Sequence, residues 1–403
     1  MRILMVSTTY PRWGGDTRPR FVHDLAAFLA KEGMEIIVLS PHHKGAKFHE
    51  YLDGVEIYRH PYFLPTGCQK LCCGGGIREN IRHSLLARIQ LPLLAVTQSI
   101  YLLALTMKKK PDLIHSHWIL PQGLNAMMAS KLFGIDYVVT VHGADIFPTK
   151  FKVMKLLSKA VLSNAASVSA NSDRTKKEAQ NLMAGKEITV IPMGADVSRF
   201  KPVSGKSASK SVLFVGRLAQ VKGVEYLIRA FKKIKEKNAT AKLIIVGEGE
   251  ELPRLMDEAR KTGYDKDISF EGAIPHERIF DYYGRAGVLA LPSIVDSEGS
   301  MEGLGVVLTE ALACGVPAVA TDAGGISDII KDGQTGLIVP QKDPEKLAQA
   351  IDRIFSDTDL AERLAQNGRM AILSRFSWNV ISQRYSTLYS DILRERIKRR
   401  QIL

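Results

Sequence analysis

Short apolar runs alternate with longer segments of helical period along most of this chain. Arg2-Ile3-Leu4-Met5-Val6-Ser7 has the near-unbroken apolarity of a strand buried on both faces. A loop holding Pro11, Trp13, Gly14 and Gly15 follows, and then Phe21 to Lys31 repeats its apolar positions as a helix does. Gly33 stops that helix, and Glu35-Ile36-Ile37-Val38-Leu39 predicts the next strand. Further strands are predicted at 112–115, 137–141 and 167–170, with helical segments between most of them. This alternation is that of a parallel sheet covered by helices.

The pattern restarts after Ile191-Pro192-Met193-Gly194. Residues 204–210 are small and polar, as a linker is, and new strands are predicted at 212–215, 242–246, 288–291 and 317–320. Two doubly wound α/β domains in tandem follow, with bounds at 1–195 and 205–375. In such sheets ligands bind beyond the carboxyl ends of the strands.

Two segments stand apart. Leu91 to Met107 is uncharged but only 17 residues long and contains Pro92 and Gln98. A membrane span needs about 20 apolar residues, so this segment predicts a helix of the first domain, its dipole favoured by Lys108-Lys109-Lys110. Residues 63–88, with Gly74-Gly75-Gly76, three arginines and scattered aliphatics, predict either a loop with an amphipathic helix touching acceptor or membrane, or a plain surface excursion.

Length and composition set the class. The 403 residues exceed one ordinary core, and 45% hydrophobic with 24% charged residues is the balance of a soluble globular protein. Met1 to Ser7 lacks the long apolar core and cleavage site of a signal peptide. Cys68, Cys72, Cys73 and Cys314 form neither a zinc pattern nor a disulfide framework, which points to a reducing cytoplasm. Up to Pro192 there are 24 Lys/Arg against 14 Asp/Glu, a balance of +10; the remainder carries only +3. The excess favours an anionic partner for the first domain, such as an acidic sugar, a lipid phosphate or an anionic membrane surface. No recognised motif accompanies it that would indicate nucleic acid.

The candidate chemistry centres on Glu302-Gly303-Leu304-Gly305-Val306-Val307-Leu308-Thr309-Glu310. Ala311 and Leu312 favour a helix, Gly315 suits its stop, and Pro317 prevents its continuation. Gly303 and Gly305 leave no side chain between the turn and a ligand. Glu302 then lies on the loop, and Glu310 about two turns into the helix, leaning back toward its start. Free amides at a helix start suit phosphate oxygens, and two carboxylates suit hydroxyls, so the pattern fits a ligand with phosphates and sugar diols. Arg217, a planar fork, and Lys222, a point charge, follow a predicted strand and are suited to stabilise a departing diphosphate. His142-Gly143-Ala144-Asp145 follows a strand in the first domain. Competing motifs are weaker. Gly247-Glu248-Gly249 lacks the third glycine of a dinucleotide fingerprint, having Leu252 there. Asp265-Lys266-Asp267 and Asp357-Thr358-Asp359 read as solvated turns, and His115-Ser116-His117 lacks a third metal ligand at useful spacing.

Taken together these residues resemble the retaining glycosyltransferases of family 4, over almost the full length of the chain. The resemblance is carried by the Pro11 to Gly15 loop and by Pro111-Asp112-Leu113-Ile114-His115-Ser116-His117. It is carried further by His142 to Asp145, by Val215-Gly216-Arg217-Leu218 with Lys222-Gly223, by Glu302 to Glu310, by Gly324-Gly325 and by Phe376-Ser377-Trp378. It implies the GT-B fold, two Rossmann-like domains facing a central cleft, with residues 376–403 forming a helix that crosses back to the first domain. It implies that Glu310 binds the ribose diol of a nucleotide-sugar donor and that Glu302, beside the amides of Gly303, Leu304 and Gly305, holds hydroxyls of the transferred sugar. Arg217 and Lys222 would bind the diphosphate, and His142 would contact the sugar on a loop positioned by Asp145. Gly14 and Gly15 would close on phosphates or acceptor, while Gly247 and Ile274 line the donor. No metal and no cofactor beyond the donor is implied. The acceptor would be a glycan or a lipid-linked glycan, and the place of work the cytoplasm, with peripheral attachment to the membrane's inner face. The basic tail Arg394, Arg396, Lys398, Arg399 and Arg400 is an expected contact to anionic lipid. Two other readings stay open at this level: a nucleotide-sugar epimerase of the same fold, and a non-catalytic nucleotide-sugar binding protein.

Overall fold

A computed structural model describes residues 1–73, 77–143, 145–146, 152–183, 185–202, 210–297 and 299–402. The run Gly74-Gly75-Gly76, the linker expected at 204–210 save Lys210, and Ala144 lie outside the described residues. The chain divides into two compact units: Met1–Ile191 with Ile381–Leu403, and Pro192–Val380.

Unit 1 is built on eight strands, β1 (Arg2–Val6), β2 (Glu35–Pro41), β3 (His49–Leu52), β4 (Val55–His60), β5 (Leu113–His117), β6 (Tyr137–Val141), β7 (Ser167–Ala170) and β8 (Ile188–Val190). Their order is β3-β4-β2-β1-β5-β6-β7-β8, and all neighbours run parallel except β3 against β4. The helices are α1 (Phe21–Lys31), α2 (Ile77–His83), α3 (Leu85–Lys109), α4 (Leu124–Phe133), α5 (Lys152–Asn164) and α6 (Asp173–Leu182). Side chains of alternate strand residues point to opposite faces. Leu4, Ile37, Ile114 and Val139 therefore share one face, where they pack with Leu102 of α3, Ala126 of α4 and Val161 of α5. Helix α3 begins at Leu85, ahead of the predicted 91, because the Ser84 hydroxyl accepts the Ala87 amide as an N-cap.

Unit 2 has six strands, β9 (Ser211–Val215), β10 (Lys242–Val246), β11 (Ile268–Gly272), β12 (Val288–Leu291), β13 (Ala318–Thr321) and β14 (Leu337–Val339), in the order β11-β10-β9-β12-β13-β14. All pairs are parallel. Counted within the unit this is the 3-2-1-4-5-6 order of a dinucleotide-binding sheet, whose switch point lies between β9 and β12. Its helices are α7 (Val224–Lys237), α8 (Leu252–Thr262), α9 (His276–Arg285), α10 (Val306–Ala313), α11 (Ile326–Ile329), α12 (Pro344–Ser356) and α13 (Thr358–Ala371).

The last helix, α14 (Trp378–Ile402), changes unit at Ile381 rather than at the expected 376. Ala195 bridges to Ser377, and Gly194 lies so close under the Trp378 ring that a Cβ there would sit 2.7 Å from it, which ties the helix start to unit 2. From Ile381 onward its buried residues belong to unit 1: the Tyr389 hydroxyl meets His115 Nδ1 at 2.7 Å, and Tyr385 meets Thr140 Oγ1 at 3.1 Å. Three arginines of the basic tail have partners, although Arg394 and Arg399 stay 74% and 60% exposed. Arg394 pairs with Asp391, Arg399 with Asp136, and Arg396 donates to the Asp112 carbonyl.

Candidate active site

In unit 2 the sequence motifs converge on the carboxyl ends of β9, β10, β12 and β13. Beyond β9 the chain forms an exposed loop with Arg217, then a single 3₁₀ turn, Gln220–Lys222. That turn aims Lys222 at Glu302, with Nζ 2.5 Å from Oε2. Ser293, two residues past β12, donates its hydroxyl to the same oxygen at 3.3 Å. Two residues assigned separate roles from sequence thus form one ion pair, mostly shielded from solvent at 20% and 12% side-chain exposure. The Glu302 backbone is held as well. Its carbonyl accepts the Gly325 amide at 3.1 Å, and a Cβ on Gly324 would lie 1.9 Å from that oxygen. Only glycine fits at 324, which accounts for the first member of the Gly324-Gly325 pair.

The chain then passes through Gly303 and buried Leu304 to Gly305, which precedes α10. No side chain caps this helix; the Leu308 amide turns back to the Gly305 carbonyl at 2.9 Å, and the amides ahead of it carry the positive end of the dipole. Glu310 is the fifth residue of α10, just over one turn in rather than two, because the helix starts only at Val306. It is also more enclosed than a solvated acid, with 7% exposure. His276 Nε2 lies 2.8 Å from Oε1, and the Tyr283 hydroxyl donates to Oε2 at 2.8 Å. Burial, followed by the Glu310 charge, pushes the Tyr283 hydroxyl well above its ordinary value and keeps it a donor. Phe200 packs edge-on against both rings. Sequence reasoning missed His276 and Tyr283. The available signal was their spacing of seven on one helix, which puts both on one face.

Gly247 directly follows β10, where its amide donates to the Gly272 carbonyl at 2.8 Å and its Cα rests on the Gly216 carbonyl. Ile274 follows β11 two residues past its end, half-buried. The two are therefore neighbours through Gly272. The aspartate triplets have structural occupations: Asp357 caps α13 through the Leu360 amide, and Asp267 pairs with Lys235.

In unit 1 the equivalent strand ends carry a histidine cluster. β5 extends to His117, two residues beyond the predicted end. His117 Nδ1 lies 3.1 Å from His142 Nε2, and the rings stack with centroids 5.3 Å apart. Trp118 and Phe21 flank the His142 ring at 4.6 and 5.3 Å. Trp118 has φ +76°, a left-handed conformation that costs a non-glycine residue about 1–3 kcal/mol and is tolerated mainly at functional sites. Asp145 fastens the loop: its carboxylate accepts the His142 amide at 3.1 Å and the Ile119 amide at 3.0 Å. Burial raises the Asp145 carboxyl to about 6, against the pull of those amides. Burial lowers His142 to about 3, so its imidazole is neutral at physiological pH. His115, seen in the sequence beside His117, is occupied by Tyr389 and Thr140 Oγ1, each at 2.7 Å. Gly14 and Gly15 lie exposed on a loop clasped by Arg12 and Asp16, whose side chains meet at 2.5 Å. Burial would raise Asp16, but hydrogen bonds from the Arg12 side chain and amide outweigh it and hold the carboxyl below its ordinary value.

Comparison with known proteins supplies the family. Residues 196–371 match the family described as Glycosyl transferases group 1, and residues 19–199 match Glycosyltransferase Family 4. A D-inositol 3-phosphate glycosyltransferase of Acidothermus cellulolyticus is 31% identical over 318 residues, spanning 71% of this chain and 68% of that protein. This chain belongs to glycosyltransferase family 4. The family 4 fold is shared with sucrose-phosphate synthase of Thermosynechococcus elongatus, at a TM-score of 0.80 and 23% identity over 98% of this chain and 99% of that one. Anabaena HepE, solved in complex with UDP-glucose, superposes at a TM-score of 0.72 with 19% identity over 97% and 100% of the two chains. The fold is GT-B, and the protein is an enzyme that transfers a sugar from a nucleotide-sugar donor.

Proposed function

We propose that this family 4 glycosyltransferase works with retention of anomeric configuration and without a metal, moving a hexose to a glycan or lipid-linked acceptor in the cytoplasm, at the inner face of the membrane. The observation that carries the reading is the Lys222–Glu302 pair, set beyond β9 and β12 at the switch point of the unit 2 sheet. A nucleoside diphosphate there competes with Glu302 for the Lys222 ammonium and gains the Arg217 guanidinium and the amides at the start of α10. The UDP-glucose bound by HepE makes a uridine donor the first to test. Glu302, released by the phosphates, is free to accept hydroxyls of the sugar. Glu310, oriented by His276 and Tyr283, keeps lone pairs for the ribose diol.

In the reaction the bond from the anomeric carbon to the diphosphate oxygen breaks. The acceptor oxygen bonds to that carbon on the same face, and its proton passes to the departing phosphate oxygen. Negative charge grows on the diphosphate as it leaves, so cations fixed beside it act most strongly in the transition state. His142, neutral because it is buried, contributes a hydrogen bond to the sugar rather than a charge, and its contact with His117 fixes which ring nitrogen is left for that bond.

The test is nucleoside diphosphate release from a panel of nucleotide sugars with membrane-lipid acceptors, in excess chelator. Release should persist in chelator and depend on acceptor, and magnetic resonance of the product should show the donor's anomeric configuration. Loss of release in chelator with recovery on adding magnesium or manganese, or an inverted product, contradicts the reading.

A further inference from the structure

Helix α3 buries two glutamines along with its leucines and turns a row of large aliphatic side chains outward. Of its 25 residues seven are buried, and two of those are glutamines. Gln90 accepts the Lys70 and Leu71 amides at 2.9 and 3.0 Å, and Gln98 accepts from Asn125 at 3.0 Å. Leu85, Ile89, Leu93, Val96, Ile100 and Met107 point to solvent, with exposures from 39% to 72%. Their spacing of three, four or seven residues puts them in one stripe running the length of a helix roughly 37 Å long. Single exposed aliphatics are ordinary, but a continuous stripe of this length marks a surface that meets something apolar.

The stripe does not end with α3. Helices α3, α4 and α5 cover the same face of the unit 1 sheet, and α4 and α5 add exposed Leu132 and Leu156, at 66% and 69%. The charge on these helices has one sign. No Asp or Glu occurs between Glu79 and Asp112, nor anywhere in α4 or α5. Arg88 and Lys108 lie exposed toward the two ends of α3, and Lys131 sits on α4 beside Leu132.

We infer that the α3–α4–α5 face of unit 1 is where this enzyme lies on an anionic lipid bilayer. An apolar stripe bordered only by cations fits hydrocarbon next to phosphate headgroups. A second copy of the chain would bring like charges together, which disfavours it as the occupant. The helix lies on the bilayer and does not cross it, because Leu94, Leu102 and Leu105 are fully or almost fully buried, the last two packed on the strand core. The inference rests on the reading of a transferase at the membrane face and gives that reading its surface. It adds an apolar contact to the purely electrostatic one expected of the carboxyl-terminal tail, whose Arg394 and Arg399 stay exposed.

The full chain is sedimented with vesicles of phosphatidylglycerol and phosphatidylcholine in equal parts, and with phosphatidylcholine alone, at low and physiological salt. The wild type should bind the anionic vesicles preferentially. The double variant Val96→Asp, Ile100→Asp should lose about tenfold or more in partitioning at both salt levels, because it places two charges in the apolar boundary. Arg88→Glu with Lys108→Glu should lose binding mainly at low salt, where screening is weakest. Both variants should melt as the wild type does and hydrolyse donor in solution at the wild-type rate, so failure of lipid binding is separable from failure of the transferase reading. Equal binding to both vesicle types, no binding to either, or wild-type binding by the double variant overturns the inference. So does a dimer in sedimentation velocity that the double variant dissolves, which would give the face to a second copy.

Discussion

In unit 2 the loops beyond the strands are held by backbone resting on backbone; in unit 1 the equivalent loops are held by side chains. Gly247 lies against the Gly216 carbonyl and Gly324 against the Glu302 carbonyl, contacts that no residue with a Cβ could make. Unit 1 instead uses a buried polar chain that runs from Tyr389 through His115 and Thr140 to Ser169, with His117 linking to His142 and Asp145 clasping its loop. Nine of the ten histidines lie in unit 1. Under the proposed function the two constructions suit two tasks. A diphosphate needs amides and cations at close range, which a glycine-built loop presents. A sugar hydroxyl near the reacting carbon needs a neutral group in a fixed orientation, which a buried imidazole network supplies.

The difference predicts unequal responses to perturbation. The largest effect belongs to the backbone contacts. Gly324→Ala places a Cβ on the Glu302 carbonyl at φ +68°, and should destabilise unit 2 by about 3 kcal/mol through overpacking and left-handed strain together. Hydrogen exchange read in peptides from each unit checks this. Unit 2 should loosen and unit 1 stay protected, whereas unchanged protection around residues 302 and 324 would show that the loop simply moves aside.

Mild acid should act in the opposite place. Burial holds His43, His60, His115 and His142 at about 3, and His117 well below its ordinary value, so all five are neutral in the folded chain. Unfolded, they titrate near about 6.5. As pH falls below that value the unfolded chain takes up protons that the folded one refuses, and stability is lost progressively toward about 3. Asp145 works the other way. Its carboxyl, raised to about 6, binds a proton in the folded chain first and returns some stability over the same range, but it is one group against five. Unit 1 should therefore lose at least about 3 kcal/mol between roughly pH 7 and pH 5, while unit 2, with His276 as its one histidine, changes less. Rate-corrected hydrogen exchange across this range, with unit 2 opening first, would break the comparison.

The same contrast explains how much could be read from the chain. The central strands β1, β2, β6, β9, β10 and β12 are largely apolar runs and were legible, whereas β5 was read two residues short because Ser116 and His117 are polar yet buried. The strands that were missed are β3, β8, β11 and β14, which edge the two sheets, together with β4 beside β3 and its antiparallel turn. Edge strands are short or half-exposed, so their pattern lacks a full apolar run. In unit 2 the site was legible because glycines mark close backbone approaches and Glu302 to Glu310 sit within one motif. The Glu310 partners, 34 and 27 residues away, were not. In unit 1 Asp145 holds the amide of His142 three residues away, but the bonds among the side chains join residues 25 to 274 positions apart, and no local signal announces them. Helix α3 was legible as a helix of the first domain, but not which of its faces lies inside. Its apolar count is that of a core helix, and only the structure shows that Gln90 and Gln98 took the inside.

The division of labour can be measured directly. The full chain and the variants Glu310→Ala and His142→Ala are titrated calorimetrically with the nucleoside diphosphate of whichever donor the panel identifies. Removing Glu310 deletes a charged acceptor worth about 1.5–3 kcal/mol, so affinity should fall about 10- to 100-fold. Removing His142, to which the proposed function gives the sugar and not the nucleotide, should leave affinity within about twofold. The opposite pattern, with His142→Ala weakening the nucleoside diphosphate and Glu310→Ala leaving it untouched, would contradict the assignment of donor binding to unit 2.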